Sequence, residues 1–125
     1  MPLLQASKQY VALADLKGTL GETLRRTGHI AAGIESYREA VKHYLALGMV
    51  TRVAYVRVLL AGVLLEAGHS REAEWEILAA LPTIDEQRMV PEGFAAVALL
   101  RESVRQRKTD PLALHDLRAH LQAKN

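Results

Sequence analysis

Two stretches of the sequence, RRTGHIAAGIESYREAV at residues 25–41 and LEAGHSREAEWEILAAL at residues 65–81, follow the same plan. Each has the pattern of a helix end, a Gly-His turn and a second helix with small and bulky apolar residues at matching places. Glycine is the residue that most readily adopts the left-handed conformation in which many helices end. We therefore interpret both stretches as the corner of a helical hairpin.

The two corners belong to a repeat with a step of 40 residues, the separation of His29 and His69. Another step reaches Thr109-Asp110-Pro111, where the aspartate can cap a helix and the proline suits its first position. Four sets of positions keep this step: Gly33, Ala73 and Ala113; Tyr37, Ile77 and Leu117; Leu20, Leu60 and Leu100; Leu24, Leu64 and Val104. Periods of about 20 to 50 residues are typical of arrays of one supersecondary unit.

The repeat predicts an all-α fold of six helices, arranged as three hairpins stacked in a short solenoid. Apolar residues recur at steps of three and four along both helices of the first unit, which places them on one face of each helix. These residues are Leu13, Leu16, Leu20 and Leu24 in the first helix, and Ile34, Tyr37, Val41 and Tyr44 in the second.

The boundaries of the helices follow from the turn residues between them. The fourth helix is expected to end at Leu81, because Pro82 restricts the residue before it, and residues 82–90 then form the longest loop. The predicted helices span about 3–27, 30–47, 50–67, 70–81, 91–107 and 111–123, in units 3–47, 50–81 and 91–123 of one domain, 1–125.

The composition agrees with a helical domain and excludes several kinds of site. A chain of 125 residues has the size of one domain, and only 5% of its residues are aromatic, which favours packed helices over a β-sandwich. The absence of cysteine excludes disulfides, thiolate metal sites and cysteine nucleophiles. The start MPLLQASKQY lacks a signal-peptide pattern, and the apolar run at 53–65 is shorter than the about 20 residues of a membrane span. We expect a cytoplasmic protein with no membrane contact.

The repeated positions resemble the tetratricopeptide repeat (TPR), whose consensus has Trp, then Leu-Gly and Tyr, and later a spaced Ala and Phe. Leu20-Gly21 matches the Leu-Gly pair, Leu24 stands for the Tyr, and Gly33 and Tyr37 stand for the Ala and Phe. In the second unit the corresponding residues are Leu60, Ala61, Leu64, Ala73 and Ile77. The resemblance covers nearly the whole chain.

The sequence departs from the TPR pattern at several points. Lys17 and Arg57 occupy the Trp position, Arg101 replaces a small residue in the third unit, and the step is 40 residues rather than about 34. Residues 64–104 also resemble the C-terminal helical-repeat region of some bacterial transcription-associated regulators. Those regulators place a DNA-binding or zinc-binding segment in front of that region, and this sequence does not include one.

The TPR resemblance implies a concave surface lined by the first helix of each unit. The lining expected from it is Asp15, Gly18, Glu22 and Arg25; Tyr55, Val58, Gly62 and Leu65; and Ala95, Ala98, Glu102 and Arg105. An apolar middle with charges of both signs at the ends suits a peptide or helix with an apolar centre. The resemblance therefore implies a non-catalytic protein-interaction module, a scaffold or regulatory adaptor. The alternative is that Tyr55, Val58 and Leu65 are core residues or are covered by another chain.

No catalytic, cofactor-binding or metal-binding residues are expected. No serine lies in a Gly-x-Ser-x-Gly elbow, and His115 and His120, five residues apart, do not share a helix face. The alternative function is that of a nucleic-acid-associated regulator using the basic third repeat. Arg101 and Arg105 are four residues apart and could contact phosphates together, although Glu102 lies between them.

The first helix carries apolar residues on more than one face, a pattern that often indicates self-association. The residues concerned are Leu3, Leu4, Tyr10 and Val11. Trp75 lies off the apolar stripe of the fourth helix and is a further candidate contact. The sequence therefore predicts a homodimer that involves the N-terminal helix.

Overall fold

The fold is all-helical over the part of the chain that the computed structural model describes, the backbone of residues 3–109 and the side chains of residues 8–108. Its five helices are α1 (Leu3–Arg26), α2 (Ile30–Ala46), α3 (Val50–Glu66), α4 (Ser70–Glu86) and α5 (Val90–Thr109). The predicted all-α class is confirmed there, whereas the sixth predicted helix, 111–123, lies outside the described residues. None of the five helices is both long and apolar enough to cross a membrane.

One type of turn joins all the consecutive helices. Gly28, Gly48 and Gly68 adopt φ values of 85°, 70° and 80°, the left-handed conformation that costs glycine little. After α1, the Gly28 amide donates to the Arg25 carbonyl at 3.1 Å, and the His29 amide donates to the Leu24 carbonyl at 2.8 Å. This pair of bonds defines a Schellman motif, and the turns at Gly48 and Gly68 repeat it. The turns therefore recur every 20 residues, half the step of the sequence repeat.

The fourth turn has the same geometry without a glycine. The Arg88 amide donates to the Asp85 carbonyl at 3.2 Å, and the Met89 amide donates to the Ile84 carbonyl at 2.9 Å. Arg88 has a φ of 53°, where the side chain of an L-residue is crowded against its own backbone at a cost of about 1–2 kcal/mol. The helical array thus keeps its geometry here against the local preference of the residue.

The predicted end of the fourth helix at Leu81 is wrong, and so is the predicted loop at 82–90. Helix α4 continues through Pro82 to Glu86, and α5 begins at Val90. A proline inside a helix removes one hydrogen bond and costs about 3 kcal/mol. The extra turn of helix offsets this cost by burying Ile84, which packs beside Gly93 of α5.

The core forms because each helix packs against the next, and α3 also packs against α5. Small residues allow α1 and α2 to approach closely. The ring of Tyr37 lies directly against Gly21, and Gly33 faces the backbone carbonyl of Gly21. Helix α3 is the central element and contributes the largest share of buried residues: Val53, Ala54, Val56, Val58, Leu60, Ala61, Val63, Leu64 and Leu65.

Three of the four leucines in the predicted apolar stripe of α1 lie outside its contact with α2, whereas the half-buried Leu24 lies beside Gly33. Leu13, Leu16 and Leu20 are exposed, whereas Ala14 is fully buried and Gly21 contacts α2 through Tyr37. Leu13, Leu16 and Leu20 lie within about 60° of arc on the helix. We call the surface that they form the α1 outer face.

Candidate functional site

A groove of about 550 Å³ opens between α1 and α3. Tyr37 and Tyr44 of α2 form its floor, and both side chains are almost completely buried. Asp15 and Glu22 line one wall, and Tyr55 lines the other. The helix pair α1–α2 and the next helix therefore build this surface together.

A smaller groove of about 350 Å³ continues the first one toward α5. The two grooves share Glu22, Tyr37 and Leu59, so they form one surface along α1, α3 and α5. Leu99 of α5 lines the far part. Helices α1, α3 and α5 line this surface, together with Tyr37 and Tyr44 of α2.

Two tyrosine–carboxylate pairs connect the floor to the wall. The hydroxyl of Tyr37 donates to Oε2 of Glu22 at 2.9 Å, and the hydroxyl of Tyr44 donates to Oδ1 of Asp15. The carboxylates are seven residues apart on α1, and the tyrosines are seven apart on α2, so each set lies on one helix face. The earlier carboxylate, Asp15, pairs with the later tyrosine, Tyr44, and the later carboxylate, Glu22, pairs with the earlier tyrosine, Tyr37, as expected for antiparallel helices.

Glu22 is the centre of a charged cluster. Arg25 donates two hydrogen bonds to it, from Nη2 to Oε1 at 2.9 Å and from Nε to Oε2 at 3.2 Å. Nε of Arg26 lies 3.1 Å from Oε1 of Glu22. These contacts lower the pKa of Glu22 from 4.5 to about 2, chiefly through the Arg25 hydrogen bond and then through that of Tyr37. Burial and the bond to Glu22 raise the pKa of the Tyr37 hydroxyl. Glu22 is therefore a fixed anion at neutral pH.

Arg25 also links the cluster to α3. Its Nη1 donates to Oε1 of Glu66 at 3.1 Å, so one guanidinium joins carboxylates on two helices. The Glu22 cluster therefore connects α1 to α3 along the smaller groove.

A second cluster surrounds Asp15. Nη1 of Arg52 donates to Oδ1 of Asp15 at 3.2 Å, and the Arg52 guanidinium lies 5.9 Å from the centre of the Tyr44 ring. Burial and the hydrogen bond to Asp15 raise the pKa of Tyr44 to about 12. Each cluster thus contains one buried tyrosine, at least one carboxylate and at least one arginine that reaches solvent.

Tyr55 lies on the same surface and is 46% exposed. It lies on α3 one turn from Arg52 and one turn from Leu59, which places aromatic, cationic and aliphatic groups side by side. The arrangement presents a flat aromatic surface with charges of both signs near it. Such a surface can contact an apolar side chain while its polar groups hydrogen-bond to the flanking residues.

The two grooves bring together eight of the twelve residues that the sequence predicted for the concave surface. The larger groove is lined by Asp15, Gly18, Glu22 and Tyr55, and the smaller one adds Arg25, Val58, Gly62 and Ala95. The other four, Leu65, Ala98, Glu102 and Arg105, line neither groove. Leu65 is buried under α5, where Nε2 of Gln106 donates to its carbonyl at 3.1 Å, and Glu102 and Arg105 pair with each other.

Sequence reasoning missed several groove residues, among them Tyr37, Tyr44 and Arg52. It placed both tyrosines in an apolar stripe, because their spacing is that of core residues. Both side chains are almost fully buried, and each belongs both to the core and to the floor of the groove. The available signal was the equal spacing of seven residues between the two tyrosines and between Asp15 and Glu22.

Of the residues predicted for self-association, the three whose side chains the structure describes lie on two helices, α1 and α4. The side chains of Leu3 and Leu4 lie outside the described residues, Tyr10 is exposed and Val11 is half-buried. Trp75 is exposed on α4, with the guanidinium of Arg57 5.4 Å from its ring centre. Arg57 in turn pairs with Glu76 at 2.8 Å, so this aromatic belongs to a separate cluster.

Arg105 and Arg107 of the third unit lie in ion pairs, whereas Arg101 is exposed on α5. Arg105 pairs with Glu102, and Arg107 lies 2.9 Å from Glu74 of α4. Within residues 8–108, no three His, Asp or Glu side chains form a group that could hold a metal ion.

Comparison with protein-family models, with curated proteins and with solved structures found no match to the chain.

Proposed function

We propose that this chain is a non-catalytic protein-interaction module, a TPR-like scaffold or regulatory adaptor that binds a peptide or helix of a partner protein in the groove. The proposal includes a short right-handed solenoid completed by a sixth helix at 111–123, and a cytoplasmic location. It rests above all on one observation: the half-exposed Tyr55 lies between two ordered clusters, each of which contains charges of both signs.

The groove is prepared for binding because its polar groups are already fixed. Tyr37, Arg25 and Arg26 hold Glu22, while Tyr44 and Arg52 hold Asp15. Ordering free side chains on binding costs about 0.5–1.5 kcal/mol for each long side chain. A ligand that meets these groups pays little of that cost, so its contacts contribute more fully to affinity.

The residue types also suit a protein partner. Tyrosine and arginine are over-represented among the residues that dominate binding energy at protein interfaces. Here Tyr55 offers the aromatic contact, and Arg52 and Arg26 offer donors at the rim. The expected ligand is a segment with an apolar or aromatic side chain at its centre and charged residues on both sides.

The alternative function, nucleic-acid binding through the third repeat, has less support. Arg105 and Arg107 both lie beside carboxylates, which would compete with phosphates for the guanidinium groups. Phosphate contacts would also give a steep loss of affinity with ionic strength, whereas a groove with an apolar centre would not. A salt titration separates the two functions.

The proposal is tested with a displayed library of random peptides, selected against the wild-type chain. An enriched peptide is synthesised, and its affinity is measured for the wild type, for Tyr55→Ala and for Trp75→Ala. We expect at least a tenfold loss with Tyr55→Ala, which corresponds to about 1.4 kcal/mol. Trp75→Ala is the matched control, because it removes an exposed aromatic outside the groove.

Two results would overturn the groove as the binding site. One is a selection that enriches the same peptides on Tyr55→Ala as on the wild type. The other is an enriched peptide whose binding is lost with Trp75→Ala and kept with Tyr55→Ala. Circular dichroism of both variants confirms that the helices are intact.

A further inference from the structure

The repeat shows what the α1 outer face is suited to contact. A shift of 40 residues takes Leu13, Leu16 and Leu20 of α1 to three apolar residues of α3: Val53, Val56 and Leu60. The residues of α3 are only 7%, 4% and 1% exposed, whereas those of α1 are 36%, 61% and 42% exposed. In α3 this face is covered by α2, where Leu60 lies beside Val41 and Leu45. The α1 outer face is therefore a helix-packing surface without its helix among the described residues.

The chemistry of the α1 outer face fits burial. Its exposed residues all lie within about 60° of Leu16 around the helix. They are Gln9, Ala12, Leu13, Leu16, Thr19, Leu20 and Thr23, and none of these seven is charged. The hydroxyl of Thr23 already donates to the Thr19 carbonyl at 3.1 Å, and that of Thr27, just after α1, donates to the Thr23 carbonyl at 2.9 Å. Covering Thr23 and Thr27 therefore leaves neither hydroxyl proton unpaired, which lowers the cost of burying these two polar groups.

We propose that the chain forms a homodimer in which the α1 outer face of one protomer packs antiparallel against the same face of a second copy. The two-fold axis passes near Leu16, and Leu13 of each protomer lies opposite the partner's Leu20. An isologous contact places identical surfaces together, so a charged face would meet its own charge. The uncharged α1 outer face avoids that repulsion.

The absence of charge also favours a second copy over an unrelated partner. Complementary charges usually fix the orientation of two different proteins, and this face provides none. Head-to-tail packing on the exposed stripe of α5, which contains Phe94, Val97 and Val104, is disfavoured as well. Arg101 lies within that stripe, and its charge would be buried against an uncharged surface.

The dimer leaves the carboxylates of the groove accessible. Asp15 and Glu22 lie about 100° and 120° around the helix from Leu16, whereas Thr23, which also lines the groove, lies on the α1 outer face and would be covered. Each dimer then carries two grooves. The dimer does not depend on the proposed function, and either can fail without the other.

Sedimentation is the first test. The wild type should have twice the 13.8 kDa protomer mass in a series up to about 100 µM, a concentration that populates even weak dimers. Leu16→Glu places two negative charges at the axis and should give monomers. Phe94→Glu is the matched control, an exposed apolar residue on α5 changed in the same way, and should remain dimeric.

Cysteine pairing then tests the orientation, because the chain has no cysteine of its own. Leu13→Cys and Leu20→Cys chains, mixed and oxidised, should form a disulfide between the two variants. Each variant alone should give far less product, since equal positions lie on opposite sides of the axis, beyond the about 7 Å that a disulfide can bridge.

Three outcomes would overturn the proposal. They are a wild type that stays monomeric throughout the series, a Leu16→Glu variant that dimerises like the wild type, and efficient self-pairing of Leu13→Cys. Conversion of Phe94→Glu to monomers would also contradict it, because it would move the interface to α5.

Discussion

Tyr37 fills the space above Gly21 with its ring and donates its hydroxyl to the carboxylate of the next residue, Glu22, at 2.9 Å. One side chain thus serves both the packing of α1 on α2 and the electrostatics of the groove. The ring is almost fully buried, whereas the carboxylate reaches the groove wall. A change in the charge of Glu22 should therefore change the stability of the α1–α2 hairpin.

The first prediction concerns the pH dependence of stability. The folded protein lowers the pKa of Glu22 from 4.5 to about 2. As the pH falls, the unfolded chain therefore binds a proton at Glu22 at a higher pH than the folded chain does. The resulting stabilisation is fully present above pH 4.5 and is lost as the pH falls toward 2. Urea unfolding should thus show the wild type more stable than Glu22→Gln at pH 6, with the difference shrinking steadily between about pH 5 and pH 2.

Glu86→Gln provides the control for this measurement. It removes the charge of an exposed glutamate at the end of α4, away from the groove. Its stability relative to the wild type should change much less over the same pH range. A constant difference between the wild type and Glu22→Gln from pH 6 to pH 2 would contradict the assigned role of Glu22.

The helix boundaries could be predicted from the sequence wherever a glycine marks a turn. The first three helices begin and end within one residue of their predicted bounds, because Gly28, Gly48 and Gly68 are visible signals. The fourth turn uses Arg88, which carries no such signal, and Pro82 suggested an earlier stop. The array overrode both local preferences, and tertiary packing of this kind is not encoded in a short window of sequence.

The groove was predicted in part for a similar reason. A repeat pattern assigns helix positions, so it placed Asp15, Glu22 and Tyr55 on the concave side. It could not separate the two ends of one side chain, and Tyr44 is both core and groove. The three- and four-residue spacing of Leu13, Leu16 and Leu20 also did not indicate which helix would cover them.

The second prediction compares two glycines of the first hairpin. A Cβ at Gly33 would lie 3.1 Å from the Gly21 carbonyl oxygen and 3.3 Å from the Arg25 amide nitrogen. Both atoms belong to backbone, so Gly33→Ala must push α1 and α2 apart, and we expect a loss of about 1–3 kcal/mol in the free energy of unfolding. Chemical denaturation monitored by circular dichroism measures it.

Gly18→Ala is the matched control, with the same change in the interior of α1. A Cβ at Gly18 meets nothing within 4 Å, so only the helix preference for alanine acts there. This variant should gain about 0.5–1 kcal/mol. If both substitutions shifted stability in the same direction, the close approach at Gly33 would not be what limits the distance between α1 and α2.

Position 73 shows why only the first hairpin is so sensitive. Ala73, one repeat step after Gly33, is fully buried between α3 and α4, and Ala61 stands where the first hairpin has Gly21. The second hairpin therefore accommodates a methyl group at both places. The glycines of the first hairpin leave room for the Tyr37 ring, and with it for the bond to Glu22.

The last prediction concerns the fourth turn. Arg88 adopts a φ of 53°, while the equivalent residue Gly68 adopts a φ of 80° with open space around its Cα. Replacing Arg88 with glycine removes the crowding of a side chain in this conformation, so Arg88→Gly should raise the free energy of unfolding by about 1 kcal/mol. Gly68→Arg makes the reverse change in the same kind of turn and should lower it by a similar amount. Thermal and urea unfolding of the two variants measure both effects. A loss of stability in Arg88→Gly would mean that the Arg88 side chain stabilises the turn by more than its backbone conformation costs.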